Sequence, residues 1–269
     1  MTRSVEFRRV VHAGAALFAA VLLAGVSACG QTSDAVAIDG DDIGGVVSGP
    51  DGPEAGVWVI AETMDLPTRF NRTVVTDDQG RYLIPDLPDA TYDVWVRGYG
   101  LVDSRKIRTT PGSSEDLTAV VAPDPHAAAQ YYPAAYWFSL IEVPEKNEFP
   151  GTGPQGNGIS PSIGSQSAFV RSLKSGGCMA CHQLGGKATR EIPEALGEFA
   201  STSDAWARRI QSGQAGGSMV GGLNRLGTSR ALEMFADWTD RIVAGEVPPV
   251  PPRPQGEERN VVITQWDWA

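Results

Sequence analysis

Cys178-Met179-Ala180-Cys181-His182 is the stretch of this chain whose residue types and spacing specify a chemistry. Its two thiols lie one helical turn apart, where both can form thioether bonds to the vinyl groups of a porphyrin. The imidazole follows at once, within reach of a central iron. The spacing therefore points to one covalently attached haem c and to electron transfer. A zinc site needs four ligands, and beyond Cys178, Cys181 and His182 the one further histidine after residue 28 is His126, far away in sequence. A thioredoxin-like dithiol belongs in a βαβ setting, which these surroundings lack. No carboxylate pair, Ser/His/Asp set or phosphate loop supports an autonomous hydrolase or transferase. Asp77 and Asp78 read as turn residues, and Glu142 and Glu145 as surface charges.

The elements that must position this motif are helical. Gln166–Ser175, Ala205–Gln211 and Thr228–Ala244 carry apolar residues at three- and four-residue spacing. Phe235, Trp238 and Ile242 line one face of the last. The first helix leads into the motif, and Gly176-Gly177 permits the close turn between them.

Over residues 166–246 this unit resembles a small mono-haem cytochrome c of the common helical class. The resemblance implies His182 as proximal ligand and the Pro193-Glu194-Ala195-Leu196 stretch as its support. In the family, that Pro carbonyl accepts a hydrogen bond from the proximal His and the Leu packs on the haem. One residue more than usual separates Pro193 from Leu196 here. Ala205–Gly213 resembles the helix leading into the axial loop, and Met219 stands in the Gly-rich stretch Gly216–Gly222 where the family has its axial Met. The usual Pro after that Met is Val220. Among the other methionines, Met64 falls in the strand region, Met179 inside the motif and Met234 at a core position beside Phe235. His126 is the alternative axial ligand. Trp206, Arg208, Arg209 and Arg225 are candidates to hold the propionates, each equally readable as a solvated surface residue. Thioether ligation raises the reduction potential relative to two imidazoles and leaves no open iron position, which favours outer-sphere electron transfer.

The preceding segment, 43–123, reads as all β. Runs rich in Val, Ile, Tyr and Trp alternate with Gly/Pro/Asp turns, the pattern of a sandwich. Candidate strands are Gly44–Val47, Val57–Thr63, Thr73–Thr76, Arg81–Ile84, Thr91–Arg97, Ser104–Thr109 and Asp116–Val121, with a hairpin turn at Asp77-Asp78-Gln79-Gly80. Gly44-Gly45-Val46, Thr76–Tyr82 and Tyr92-Asp93-Val94 resemble the progression of the carboxypeptidase regulatory-like family, small transthyretin-like sandwiches. Such modules serve as adhesion, carbohydrate-binding-like or spacer domains, and Trp58, Tyr82, Trp95 and Tyr99 are candidates for a sugar platform. Asn71-Arg72-Thr73 matches a glycosylation sequon. The fold class expected is thus multidomain, an all-β sandwich followed by an all-α cytochrome c domain. A connector over 124–165, aromatic and then Gly/Pro-rich, joins the two. A Pro-rich spacer and terminal strand over 247–269 complete the chain, and that strand could dock on the sandwich. The arrangement also resembles larger bacterial proteins that continue into a β-propeller.

Residues 1–28 read as a signal peptide, with basic Arg3, Arg8 and Arg9 before an apolar run, Ala13–Leu23, too short to span a bilayer comfortably. Val26-Ser27-Ala28-Cys29 resembles the bacterial lipobox, which implies lipidation of Cys29, a tether over 29–42, and a periplasmic or outer-membrane lipoprotein; Val26 and Ala28 also suit ordinary signal peptidase, which would cut at the same place. With Cys29 at the cleavage site and two cysteines in the motif, none of the 3 remains for a structural disulfide. Removing 1–28 takes away three arginines and Glu6, leaving 19 basic and 31 acidic side chains, net −12. That balance argues against nucleic acid; it favours redox partner proteins with basic docking surfaces, or equally serves only to keep an exported protein soluble. The leading expectation is an exported, lipid-anchored c-type cytochrome. The alternatives are an electron-transfer module of a larger periplasmic oxidoreductase, and a glycan-binding or redox-sensing protein that uses the sandwich.

Overall fold

The computed structural model describes residues 35–175 and 178–267. The signal segment, the lipidation candidate Cys29, the tether up to residue 34 and the Gly176-Gly177 turn lie outside the described residues.

Short runs with alternating burial build the strands. These are β1 (Ile43–Gly49), β2 (Gly52–Pro53), β3 (Trp58–Thr63), β4 (Phe70–Val75), β5 (Arg81–Ile84) and β6 (Tyr92–Arg97). Then come β7 (Leu101–Val102), β8 (Ile107–Thr109), β9 (Ser113–Ser114), β10 (Leu117–Thr118) and β11 (Val120–Val121), and β12 (Val262–Trp266) arrives from far along the chain. One sheet runs β12-β4-β3-β6-β8 with every neighbouring pair antiparallel. The other centres on β1, which pairs antiparallel with β2 and β5 and parallel with β9 and β10. Ile43 and Val47 from β1, Ile84 from β5, Val59 and Ala61 from β3 and Val94 and Val96 from β6 share one buried core, which makes this a β-sandwich. The stretch expected as one strand over 116–121 is two short ones, because Leu117 joins the β1 sheet while Val120 and Val121 pair with β7.

Local chemistry fixes the turns. Gly80 has φ +71°, and a Cβ there would lie 2.4 Å from the Val47 carbonyl oxygen. Asp77 Oδ1 accepts the amides of Gln79 and Arg81, each at 2.9 Å, which closes the expected hairpin. The Tyr92 hydroxyl donates to the Pro88 carbonyl at 2.8 Å and secures the loop before β6.

The sugar platform is not formed. Tyr82 is 3% exposed and donates its hydroxyl to the Glu115 carbonyl at 2.7 Å; Trp95 is 5% exposed, under the Lys106 ammonium at 4.0 Å. Trp58 meets Tyr99 edge to face at 4.8 Å, and Tyr99 meets Tyr132 at 5.6 Å. These aromatics are packing residues, as strand aromatics commonly are. Asn71 of the sequon lies in β4 and donates to Gln265 Oε1 at 3.0 Å, tied into β12.

Between residues 122 and 261 the described residues contain no strand. The helices are α1 (Pro125–Ala129), α2 (Ala134–Phe138), α3 (Gln166–Lys174), α4 (Lys187–Arg190), α5 (Thr202–Arg209), α6 (Gly216–Leu226) and α7 (Thr228–Val243). Ser165 and Ser201 cap α3 and α5 by accepting the amides of Ala168 and Asp204, contacts worth about 1 kcal/mol each. Ala231, Met234, Phe235, Trp238 and Ile242 form the buried stripe of α7. The helix ends in paired bonds, Gly245 N–H to the Ile242 carbonyl and Glu246 N–H to the Arg241 carbonyl.

The segment 124–165, a connector whose aromatic first half is expected to pack against a domain, contributes residues from both halves to this helical core. Trp137, Ile141, Ile159 and Ile163 are buried with Phe169, Leu173 and Trp238. The Trp238 indole N–H donates to the Trp137 carbonyl at 3.1 Å, and Trp137 donates in turn to Ala129 at 3.1 Å. Its aromatics have no core of their own and bury their area against α3 and α7. The Pro-rich spacer likewise follows the sandwich: Arg253 donates to the Tyr99 carbonyl at 3.1 Å and pairs with Glu54. No described helix is long and apolar enough to cross a membrane.

Candidate haem-binding cavity

The cysteine motif follows α3 as a tight helical turn. Cys178–Ala180 is a 3-10 turn, and the His182 amide donates back to the Cys178 carbonyl at 3.0 Å. Just downstream, Gly185 abuts α2 so closely that a Cβ would lie 1.8 Å from the Ala134 carbonyl oxygen. The loop after His182 is therefore clamped against the former connector.

A cavity of about 580 Å³ opens beside this turn, a size ordinary for a small-molecule or cofactor site. Cys178, Cys181 and His182 line it, together with Pro193 and Leu196 from the turn before α5, Trp206 and Arg209 from α5, and Met219 from α6. Eight of the residues singled out in the sequence for one cofactor thus face one space, and Arg225 joins them. Leu184, Ile210, Leu223 and Phe235 make the rest of the wall largely apolar. Among the described residues, the charged ones lining it are Arg209 and Arg225, both cations. A large, flat, apolar ligand bearing carboxylates fits that donor set, and haem is one.

The glycines of α6 sharpen the fit. The resemblance places Met219 in a Gly-rich axial loop, and the four glycines of 216–222 disfavour a helix by about 1 kcal/mol each relative to Ala. They are helical nonetheless, with the Met219 amide donating to the Ala215 carbonyl at 3.0 Å. Leu223 and Leu226 bury that helix against the core, and this tertiary packing outweighs the weak propensity. Gly222 is buried and lines the cavity, yet a Cβ on it would meet nothing within 4 Å. Its missing side chain leaves room for a flat group to approach the helix backbone.

Other candidates take different places. The Trp206 ring stacks on Phe235 at 4.8 Å, but its indole N–H donates to Thr239 Oγ1 at 2.9 Å. That donor is committed, so Trp206 serves the cavity with its ring and not as a propionate ligand. Arg209 donates to the carbonyls of Ala188 and Glu191 and straps α4 to α5; burial pushes its pKa down. Arg208 is exposed, bonds Ser212 Oγ at 2.9 Å and does not line the cavity. His126 sits exposed in α1, away from the cavity lining, so the alternative axial ligand is not supported. Met234 is core and Met64 is 71% exposed. The Pro193 carbonyl accepts the Leu196 amide at 3.0 Å, which shapes the turn that brings both to the wall. Burial pushes the Cys178 thiol pKa up, partly offset by Arg225.

Sequence reasoning missed Arg190 and Thr239. Thr239 Oγ1 accepts from Trp206 and donates to the Arg190 carbonyl at 3.2 Å. Arg190 is 4% exposed, with its guanidinium 4.0 Å over the Trp137 ring; burial lowers its pKa and Glu191 opposes this. Only the place of Thr239 on the inner stripe of α7 signalled it.

No family model and no curated protein matches the chain. Among solved structures it is similar to chains from two Coh3ScaB–XDoc type II cohesin–X-dockerin complexes of Acetivibrio cellulolyticus. The N-terminal interface mutant shares 17% identity over 32% of this chain and 61% of that one, with a TM-score of 0.24. For the C-terminal interface mutant the values are 19%, 29%, 53% and 0.20. The chain spans less than two thirds of either.

Proposed function

We propose that this chain is an exported c-type cytochrome that transfers electrons through one haem c. The observation that carries the reading is the convergence of Cys178, Cys181, His182 and Met219 on one apolar cavity with cationic groups at its wall. Cys178 and Cys181 would hold the group through thioethers, and the His182 imidazole and Met219 thioether would be the axial ligands. Bound there, haem supplies one-electron chemistry. The chain's own residues do the rest. Trp206, Leu223 and Phe235 exclude water, Gly222 lets the group approach α6, and Arg209 and Arg225 favour its carboxylates. Pro193, with a carbonyl lone pair beyond the one used by Leu196, is suited to orient the imidazole. The helical unit reads as a cytochrome c domain and the sandwich as a carboxypeptidase regulatory-like module that presents it. Lipidation at Cys29 would hold both at a membrane surface.

The test is an absorption spectrum of the intact protein, reduced and oxidised, from a host that attaches haem c. A c-type α-band is expected in the wild type and lost in Cys178→Ala/Cys181→Ala. The ferric charge-transfer band of a Met-ligated haem should vanish in Met219→Ala. An intact protein with no α-band refutes the proposal; a band that survives Met219→Ala refutes the ligand assignment alone.

A further inference from the structure

Arg190 is a buried charge behind the cavity lining that the haem reading leaves without a use. Its side chain is 5% exposed, while its ion-pair partner Glu191 stands 3.7 Å away and is 44% exposed. Nη1 donates to the Gly185 carbonyl at 2.9 Å, and Nε has no partner among the described residues. The Trp137 ring 4.0 Å beneath the guanidinium offsets part of the cost of burying it, yet an apolar residue of similar volume would commonly be tolerated there. A role for the charge itself would account for its presence.

Its surroundings connect it to the cavity from two sides. Gly185, which it grips, lies three residues after His182, and Ala188 and Thr189 just before it line the cavity. Its own carbonyl receives the Thr239 hydroxyl, which in turn receives the Trp206 indole N–H. We propose that Arg190 is a positioning residue and fixed charge for the haem: it holds the loop that begins at His182, and its positive charge favours the reduced iron. This rests on the haem c reading above.

Three residues of chain place Gly185 within about 10 Å of His182. For a charge-to-iron separation taken as on the order of 12 Å and an effective dielectric near 20, a unit charge shifts a one-electron equilibrium roughly tenfold, which is ~59 mV. Removing a positive charge disfavours the less positive, reduced state, so the potential should fall.

The experiment is a potentiometric titration of the haem-loaded protein against Arg190→Gln, Arg190→Met and Arg190→Lys. Both neutral variants should titrate about tenfold toward the oxidised form, with the Met219 charge-transfer band retained. Arg190→Lys should stay within about twofold of the wild type. Neutral variants that titrate like the wild type overturn the proposal, as does a lysine variant that falls as far as they do. Arg190→Met serves if Arg190→Gln fails to load haem. Should both fail, the lysine variant decides: a wild-type potential supports the role of charge, and a fivefold or larger drop overturns it. A wild type without an α-band refutes the haem reading itself, so the two failures are distinct.

Discussion

Thr239→Val removes the hydroxyl that ties three elements together at the back of the cavity. Thr239 is 3% exposed, and its oxygen accepts from the Trp206 indole at 2.9 Å and donates to the Arg190 carbonyl at 3.2 Å. Valine keeps the shape and strands both partners in a site that water does not reach. An unsatisfied buried donor or acceptor costs about 1–3 kcal/mol. With partial relaxation, the pair should cost about 2–4 kcal/mol in all. For a protein of this size that lowers Tm by about 6–12 °C. Thr239→Ser keeps the hydroxyl and loses one methyl, about 0.5–1.5 kcal/mol. Urea unfolding followed by tryptophan fluorescence and by circular dichroism measures both. Should Thr239→Val cost no more than Thr239→Ser, the bridging role is wrong. A cycle with Trp206→Phe should then show coupling of about 1 kcal/mol or more, because the two changes remove one shared bond.

Gly222→Ala should raise the stability of the haem-free protein by about 0.5–1 kcal/mol, since a helical Cβ meets no neighbour there. Gly222→Leu should lower haem attachment, read as haem per protein, because its side chain enters the cavity. Alkaline pH should unfold the sandwich through its tyrosines. Burial pushes Tyr92 up to about 12, with Asp89 adding to this and Arg72 opposing, and burial with the charges of Glu115 and Asp116 raises Tyr82 further. Both favour the neutral hydroxyl in the folded state. Their contribution is full below pH ~10, the ordinary tyrosine pKa, and is lost as pH climbs through the folded-state values. Tyr82→Phe and Tyr92→Phe should each flatten that decline in a pH series of urea midpoints.

What the sequence disclosed was what is encoded locally. The cysteine motif is five consecutive residues, and the Asp77–Gly80 turn is read from its own residue types. The stripe of α7 shows in spacing alone. Three features needed the assembled fold. Gly216–Gly222 carries every local mark of a loop, and only Leu223 and Leu226 packing into the core makes it a helix. The aromatics of 131–138 advertise burial without saying against what. Arg190 sits in a polar run where burial of a cation is unforeseeable, because the Trp137 ring that covers it is brought there by tertiary packing. The cavity itself was legible residue by residue, while the commitment of the Trp206 N–H to Thr239 was not.

The pairing of β12 with β4 also bears on how the protein acquires its shape. Arg72 and Thr264 bond across 192 positions of sequence, so this sheet gains its last strand only after the whole helical unit has been synthesised. Closing so long a loop adds only slowly to the entropic cost, but such distant contacts slow folding. The same closure attaches the helical unit to the sandwich at both of its ends. Its orientation is then set by two crossings of the chain, and an electron leaving the proposed centre would depart in a direction the sandwich helps to fix.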